Sequence, residues 1–308
     1  MNSDLISASY IGRFAPSPTG PLHFGSLVAA TASYLDARAH NGKWLVRMED
    51  LDKPREVPGA AKDILSTLES FGFQWDDQII WQSQRDEYYQ QALTRLVSEH
   101  FAYPCACTRS EIQNRAQAGI DGPVYPGFCR EGLPAGRSAR TWRLKVSEEP
   151  VEFADLIQGM QTQVLSKQVG DFVIRRADGL FAYQLAVVVD DALQGITHII
   201  RGADLLDSTP RQIYLQQRLK LPSPRYAHVP VATSLSGQKL SKQTRAQPVK
   251  LRDSGMVLCS VLRFLGMQLP AEIATDKLEL IWEWAISHWQ IQRVPGLRQQ
   301  IAVTAVIE

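Results

Sequence analysis

Apolar positions near the start of the chain predict a strand, a helix and a second strand. Residues 10–14 form a short apolar run, residues 24–38 carry apolar side chains at helical spacing, and residues 43–49 form a second short run. A tight loop rich in proline and glycine joins the first strand to the helix. We therefore expect a βαβ unit with parallel strands, whose carboxyl ends lie beside the start of the helix.

The pattern changes further along the chain. Helical spacing predicts helices at 60–70 and 85–101, and from 104 to 179 glycine and proline are frequent between short alternating runs. This pattern of turn residues and short alternating runs is typical of an inserted, mostly antiparallel module. Apolar strand-like and helix-like segments return at 181–189 and 196–201, followed by a helix around 205–219, a strand around 228–232 and a helical pattern from 242 to the end.

These changes predict an α/β fold, a parallel sheet interrupted by an insertion and followed by a small helical domain. We expect the first half of the α/β domain at 1–103, the inserted module at 104–180, the second half at 181–245 and the helical domain at 246–308.

Composition indicates an ordinary globular protein. The 308 residues are 44% apolar and 21% charged, and the net charge of +1 means that any site for a polyanion must be a local patch. Residues 1–9 lack the basic and apolar regions of a signal peptide, and no apolar run reaches a membrane-spanning length. We expect a cytoplasmic protein with no membrane partner.

Two loops have the chemistry of phosphate binding. His23 and Gly25 lie at the predicted helix start, where backbone N–H groups and the helix dipole attract phosphate, although such a fragment alone is more often a plain turn. Lys239 and Lys242 lie in a small-residue loop, and the stretch from Lys239 to Arg252 has five basic residues and no acidic one. That loop is either a solvated surface loop or a mobile cationic loop that closes over a phosphate.

Together the two loops resemble the signatures of a known family. His23-Phe24-Gly25-Ser26 is similar to the HIGH motif, and Lys239-Leu240-Ser241-Lys242 to the KMSK motif, of class I aminoacyl-tRNA synthetases. The strings at 13–26, 47–52 and 187–206 resemble glutamyl-tRNA synthetases in particular, over residues 10 to 250. Ser26 replaces the last histidine of the HIGH motif, a variation seen in glutamyl-type members.

The length leaves no room for anticodon-binding domains, so the chain resembles the shorter glutamyl-queuosine tRNA(Asp) synthetase family. The resemblance implies a Rossmann-like parallel sheet and a zinc-containing insert. It also implies activation of L-glutamate by ATP without tRNA, and transfer of the glutamate to queuosine, the modified wobble base of tRNA(Asp). A minimal glutamyl-tRNA synthetase that charges an acceptor end and a non-catalytic tRNA-binding paralogue remain alternatives. We expect a monomer.

A site for glutamate must hold two carboxylates and one ammonium. Arg13 and Arg201, at predicted strand ends, could each grip a carboxylate, with Arg13 favoured for the side-chain carboxylate, and Glu49 could pair with the ammonium. In the resembled family Ala15, Ser17 and Tyr183 also line this pocket.

For ATP, we expect His23, Gly25 and Ser26 to hold the nucleotide, and Lys242, with Lys239, to stabilise charge on the α-phosphate as pyrophosphate leaves. Mg²⁺ is expected with ATP, held mainly by the nucleotide.

Three clustered cysteines predict one structural Zn²⁺ per chain. Cys105, Cys107 and Cys129 leave a tetrahedral site one ligand short. Tyr125 is the fourth ligand that the resemblance implies, His100 is the chemically more usual one, and three unliganded cysteines remain an alternative. Contact with nucleic acid is expected at the 239–252 loop or at basic residues of the insert, which are Arg109, Arg115, Arg130, Arg137, Arg140 and Arg143.

Overall fold

The computed structural model describes residues 9–239, 249, 253–275 and 277–302. The chain begins with strand β1 (Ile11–Phe14), helix α1 (Phe24–Ala39) and strand β2 (Lys43–Met48). β1 and β2 pair in parallel, which confirms the predicted βαβ unit. α1 is buried along most of its length, because the sheet covers one face and C-terminal helices cover another.

Three elements complete the first part of the chain, namely α2 (Ala60–Ser70), β3 (Ile80–Trp81) and α3 (Asp86–Ser98). β3 continues the sheet by pairing in parallel with β2. α3 is shorter than its apolar pattern predicts, because His100 has a left-handed backbone (φ 60°) that ends the helix before the next strand.

The region from 104 to 180 is mostly antiparallel, as predicted. Its strands and short helices, with the strand that leads into it, are β4 (Ala102–Cys105), α4 (Arg109–Gln113), β5 (Ala118–Gly119), β6 (Gly122–Pro123), β7 (Thr141–Leu144), β8 (Val151–Asp155), β9 (Gly159–Gln163), α5 (Leu165–Gln168) and β10 (Phe172–Arg175). β4, β7 and β10 form one antiparallel sheet. The β8–β9 hairpin instead joins the parallel sheet of the next region.

The chain continues with α6 (Tyr183–Leu193), β11 (His198–Gly202), α7 (Thr209–Leu219), β12 (Arg225–Val229) and β13 (Val231–Thr233). The apolar segment at 181–189 thus belongs mostly to the helix α6, and the segment at 196–201 to strand β11. Strand order is β11-β12-β8-β9, with β11, β12 and β8 parallel. The amide of Thr197 donates to the carbonyl of Ile11 (2.9 Å), so β1 and β11 lie side by side. The four-part division of the chain stays a prediction.

The C-terminal region contains helices α8 (Ser254–Phe264) and α9 (Leu278–His288), followed by strand β14 (Gln299–Ile301). The prediction of helix to the end of the chain is wrong at β14, which pairs in parallel with β13. The indole N–H groups of Trp282 and Trp289 donate to Phe71 and Asp36 of the first half (both 2.8 Å), so these tryptophans belong to the core, as does Cys259. Among the described helices, none has the length and apolarity needed to cross a membrane.

Candidate active site

A cavity of about 470 Å³ lies at the carboxyl ends of β1 and β11, beside the start of α1. This is the edge at which parallel sheets bind ligands. The residues that the sequence predicted for glutamate or ATP line it wherever the structure describes them: Arg13, Ala15, Ser17, His23, Gly25, Ser26, Glu49, Tyr183, Arg201 and Lys239. Lys242 lies outside the described residues.

His23 caps the helix that opens onto the cavity. Its Nδ1 accepts the backbone N–H of Ser26 (3.2 Å), and the hydroxyl of Ser26 lies 3.0 Å from its Nε2. His23 and Gly25 therefore stand at the positive end of a 16-residue helix dipole, where a phosphate is favoured.

A buried charge network fixes Arg13 on one side of the cavity. The guanidinium of Arg13 donates to both carboxylate oxygens of Asp191 (3.2 and 3.4 Å). The fully buried Arg47 contacts the same carboxylate (2.9 Å) and donates to Glu49 (3.2 Å). Asp191 thus holds two arginines in place, and Arg47 in turn orients the carboxylate that faces the cavity.

The pKa values of the two carboxyl groups in this network, Glu49 and Asp191, shift in opposite directions from their usual values. Burial raises the pKa of Glu49, although the charges of Arg47 and Arg13 act in the opposite direction. Burial also acts to raise the pKa of Asp191, but Arg13 and Arg47 outweigh it and hold that pKa below its usual range. Asp191 is therefore the charged partner of the arginines, whereas Glu49 gains from an added cation in the cavity.

Arg201, which also lines the cavity, is held by neutral groups. Its Nε donates to Nε2 of His228 (3.0 Å), and its Nη2 donates to Thr209 (2.9 Å) and Gln212 (2.8 Å). Its Nη1 lies 3.4 Å from the hydroxyl of Tyr183, which also lines the cavity. Nη1 is therefore the part of the guanidinium that is turned toward the ligand space.

Lys239 also lines the cavity. Its Nζ forms an ion pair with Asp204 (2.6 Å), and both side chains are about two-fifths exposed. Such an exposed pair is weak and easily exchanged for another anion.

A second cluster lies in the insert. The Sγ atoms of Cys105, Cys107 and Cys129 lie within 4.8 Å of one another, an arrangement that could hold a metal ion. The hydroxyl of Tyr125 lies 3.3 Å from Sγ of Cys105 and 3.5 Å from Sγ of Cys107. His100 does not belong to this group, which among the described His, Cys, Asp and Glu residues contains the three cysteines.

Local turns hold the segments that bear these side chains. Thr108 and Glu111 form a capping box that starts α4 directly after Cys107. Gly170 has φ of 71°, and a Cβ there would lie 2.5 Å from the backbone nitrogen of Tyr125. The close approach that positions Tyr125 therefore requires glycine.

The pKa values of two thiols in this cluster, Cys105 and Cys107, shift in opposite directions. Burial acts to raise the pKa of Cys105, but hydrogen bonds from Tyr125, the backbone of Cys107 and Arg143 outweigh it and lower the pKa to about 7. Burial and the neighbouring sulfurs raise the pKa of Cys107 to about 11. A cation between the sulfurs would favour the thiolate form of Cys107.

Four residues that hold the main site in place were not predicted from the sequence: Arg47, Asp191, His228 and Asp155, whose Oδ2 lies 2.6 Å from Nδ1 of His228. A signal existed for three of them, because Arg47 lies within an apolar strand, Asp191 follows an apolar helical run and His228 lies in a predicted strand. Buried charged or polar groups require partners, so such positions indicate a network. Which partners they find depends on contacts as distant as Arg13 with Asp191.

Comparisons with a family model and with individual proteins all point to tRNA synthetases. A family model described as "tRNA synthetases class I (E and Q), catalytic domain" matches residues 11–275. A "Glutamyl-Q tRNA(Asp) synthetase" from Dechloromonas aromatica is 58% identical, covering 94% of this chain and 97% of the relative. One from Aromatoleum aromaticum is 54% identical, covering 95% and 92%.

Two solved structures share the fold. A glutamate-tRNA synthetase from Elizabethkingia anophelis superposes with a TM-score of 0.78 at 24% identity, over 94% of this chain and 67% of that chain. A glutamate tRNA ligase from Elizabethkingia meningosepticum, in complex with its amino acid, also superposes with a TM-score of 0.78. It is 23% identical, and the match covers 96% of this chain and 67% of that chain. The parallel sheet, its helices and the cavity edge thus belong to the class I architecture.

Proposed function

Because the chain belongs to the class I (E and Q) tRNA synthetases, and among them to the glutamyl-Q tRNA(Asp) synthetases, we propose that it activates L-glutamate with ATP and transfers the glutamate to queuosine in the anticodon of tRNA(Asp). The observation that carries the proposal is one cavity lined by two buried arginines, the carboxylate of Glu49, whose side chain is 8% exposed, and the start of α1. This set matches the two carboxylates and the ammonium of glutamate, next to a phosphate site.

In this proposal Arg13 binds the side-chain carboxylate and Arg201 the α-carboxylate, each through a guanidinium that its partners already hold in place. Glu49 binds the ammonium, which restores the charged form of a carboxyl whose pKa burial raises. Ala15, Ser17 and Tyr183, which also line the cavity, complete the pocket. The preorganised groups reduce the entropy lost when glutamate binds.

Activation needs no covalent enzyme intermediate. An oxygen of the α-carboxylate attacks the α-phosphorus of ATP, the bond to the bridging oxygen breaks, and pyrophosphate leaves. His23, Gly25, Ser26 and the amides at the start of α1 hold the phosphates, and Lys239, released from Asp204, and Lys242 stabilise the developing charge. Mg²⁺ accompanies ATP and is held mainly by nucleotide oxygens.

Transfer to tRNA is the second step. A hydroxyl of the queuosine cyclopentenediol attacks the carbonyl carbon of glutamyl-adenylate and loses its proton. An ester forms as AMP leaves.

We propose Zn²⁺ as the metal of the cysteine cluster, in a structural role. In a tetrahedral site with Zn–S bonds of about 2.3 Å, neighbouring sulfurs lie about 3.8 Å apart. The Sγ atoms of Cys107 and Cys129 are 3.6 Å apart, which fits such a site. Cys105 and Tyr125 would supply the other ligands, and the bound ion would tie β4 to the segment that carries Tyr125 and Cys129.

For the tRNA, we propose a contact surface in the cleft beside the cysteine cluster. A cavity of about 790 Å³ there is lined by Arg109, Arg140, Arg143 and Arg176. Arg143 is buried, and Arg176 is paired with Asp52 and Asp178. Arg109 and Arg140 are exposed and have no ion-pair partner within the described part of the chain, so their charges favour phosphate contact.

Exchange of label between pyrophosphate and ATP tests the activation step. We expect exchange that depends on glutamate and needs no tRNA. Absence of exchange under all conditions would favour a non-catalytic tRNA-binding protein. Exchange that requires tRNA would favour a minimal glutamyl-tRNA synthetase.

A further inference from the structure

One face of Arg201 is turned away from the cavity, toward a buried imidazole and a buried carboxylate. His228, in β12, is fully buried and places Nε2 3.0 Å from Nε of Arg201. Its Nδ1 lies 2.6 Å from Oδ2 of Asp155, at the end of β8. The β8–β12 pairing aligns Asp155 with Tyr226, two residues before His228. The sheet thus brings three polar side chains into one line.

The protonation of this line follows from its donors. Arg201 has N–H groups and no acceptor, so Nε2 of His228 must be unprotonated to accept its hydrogen bond. The imidazole proton then lies on Nδ1, from which it is donated to Asp155.

Asp155 is itself fixed by the backbone. Its Oδ1 accepts the amide N–H groups of Ile157 (3.0 Å), Gln158 (2.8 Å) and His228 (3.1 Å). Oδ2 is therefore the oxygen left for the imidazole. Burial acts to raise the pKa of Asp155, but the hydrogen bonds from His228 and these amides outweigh it and keep the carboxylate charged.

Burial and the charge of Arg201 favour the neutral form of His228. Burial lowers its pKa to about 4, and the charge of Arg201 acts in the same direction, while Asp155 and Asp204 act against it. A neutral imidazole is the one state that accepts from Arg201 and donates to Asp155 at the same time.

We propose that Asp155 and His228 are positioning residues for glutamate, which hold the Arg201 guanidinium with its Nη1 toward the cavity. The pair does not touch the ligand and acts through Arg201. The inference rests on the proposed function, in which Arg201 binds a carboxylate of glutamate. It gives the fully buried imidazole and carboxylate a specific task, because loss of the imidazole would leave Nε of Arg201 without its acceptor, and loss of the carboxylate would leave Nδ1–H of His228 without one.

Two variants of His228 each keep one of the two hydrogen-bonding functions of the imidazole. Gln in His228→Gln can place a carbonyl oxygen near the position of Nε2 and still accept from Arg201. Asn in His228→Asn keeps a donor for Asp155 but offers Arg201 no acceptor. In pyrophosphate exchange we expect His228→Asn to raise the KM for glutamate by about 10- to 100-fold, with the KM for ATP within about twofold, while His228→Gln stays close to the wild type.

A substitution of Asp155 should change which nitrogen of the His228 imidazole carries the proton. In Asp155→Asn, the three amides require an oxygen at the position of Oδ1, so the NH₂ group faces Nδ1 of His228. The proton must then move to Nε2, where it meets the N–H of Arg201. We expect nitrogen NMR to find the Nδ1–H tautomer of His228 in the wild type and the Nε2–H tautomer in Asp155→Asn, with a raised KM for glutamate.

Tyr10→Phe is the matched control, because it removes another buried hydrogen bond to a carboxylate (Asp36, 2.6 Å) without a contact to the cavity. It should lower the melting temperature and leave the KM for glutamate unchanged. The inference is overturned if the wild-type imidazole is cationic or carries its proton on Nε2, or if both His228 variants raise the KM values for glutamate and ATP alike. A wild type that shows no glutamate-dependent exchange defeats the proposed function, and the NMR result still decides the arrangement of the imidazole.

Discussion

Arg13 and Arg201 bind their neighbours in different ways, and both ways need a guanidinium. Arg13 faces the carboxylate of Asp191 with two N–H groups, whereas Arg201 spreads its N–H groups over His228, Thr209 and Gln212. A lysine keeps the charge but has neither the planar fork nor the reach to bind a structural partner and a ligand together.

Arg13→Lys and Arg201→Lys should therefore each raise the KM for glutamate by about 30- to 100-fold, and change the KM for ATP by less than about threefold. Steady-state pyrophosphate exchange measures both constants. Arg38→Lys is the control, since Arg38 pairs with Asp76 and does not line the cavity. An unchanged KM for glutamate in both cavity variants would show that neither arginine binds the amino acid.

Asp191 should matter for stability as much as for binding. Asp191→Asn would leave Arg13 and Arg47 buried with one compensating charge removed, and breaking such a pair typically costs about 3–5 kcal/mol. Urea denaturation should show this loss of unfolding free energy. Asp77→Asn, in an exposed pair with Lys43, should cost less than about 1 kcal/mol. Equal effects of the two substitutions would contradict the buried network.

Residue type and position in the pattern predicted three of the charged side chains that line the cavity, and the family resemblance supplied Ala15, Ser17 and Tyr183. Arg13, Glu49 and Arg201 are charged residues at strand ends, where ligands of parallel sheets bind. Their partners were not predictable in the same way. Asp191 and His228 join the site through long-range packing, and no local pattern specifies which buried charge meets which.

At the scale of elements, the cysteine cluster lies within a small core of its own in the insert. The strands of the insert are short, and this small core around Tyr103, Cys105, Ile112, Tyr125 and Cys129 lies apart from the two larger cores. A bound ion would therefore supply much of the stability of this module.

We expect about one zinc per chain by elemental analysis, and expect its removal by a chelator to increase hydrogen exchange in β4 and β7 more than in β1 and β2. Cys129→Ser should behave like the chelated protein. Cys259→Ser, at a buried cysteine outside the cluster, is the control. A protein free of zinc with protected β4 and β7 would contradict a structural metal site.

The cleft beside this module gives a separate prediction about tRNA. Replacing Arg109 and Arg140 together by alanine should raise the KM for tRNA about tenfold, reduce its dependence on salt and leave pyrophosphate exchange without tRNA unchanged. Arg137→Ala is the matched control, because Arg137 is paired with Glu111. Glutamate transfer assays at several salt concentrations measure the effect. A normal KM in the double variant would place the tRNA elsewhere.

The pattern of apolar residues predicted most helices and strands, but it did not predict all of the pairings between strands. The βαβ unit and α2 follow from clear periodicity, whereas β14 is three residues long and forms only because β13 offers it a free edge. The β8–β9 hairpin lies within the predicted insert, yet it pairs with β12 and brings Asp155 to His228. Such pairings depend on the assembled sheet.

At the scale of the whole molecule, the catalytic cavity and the arginine-lined cleft share one chain. The cavity is lined by side chains from residues 13–49 and from residues 183–239, and the ion pair of Asp52 with Arg176 lies at the cleft. Activation thus uses side chains from both stretches of the chain, and transfer requires that a nucleotide of the bound tRNA reaches the cavity. The family membership supports queuosine as that nucleotide.

Transfer of labelled glutamate to tRNA tests the central claim most directly. Purified protein would be incubated with ATP, labelled glutamate and total tRNA from cells that make or lack queuosine, and the labelled tRNA would be cut into anticodon and 3′-terminal fragments. We predict label in the queuosine-containing pool alone, and in its anticodon fragment. Equal labelling of the two pools, or label in the 3′-terminal fragment, would contradict this account.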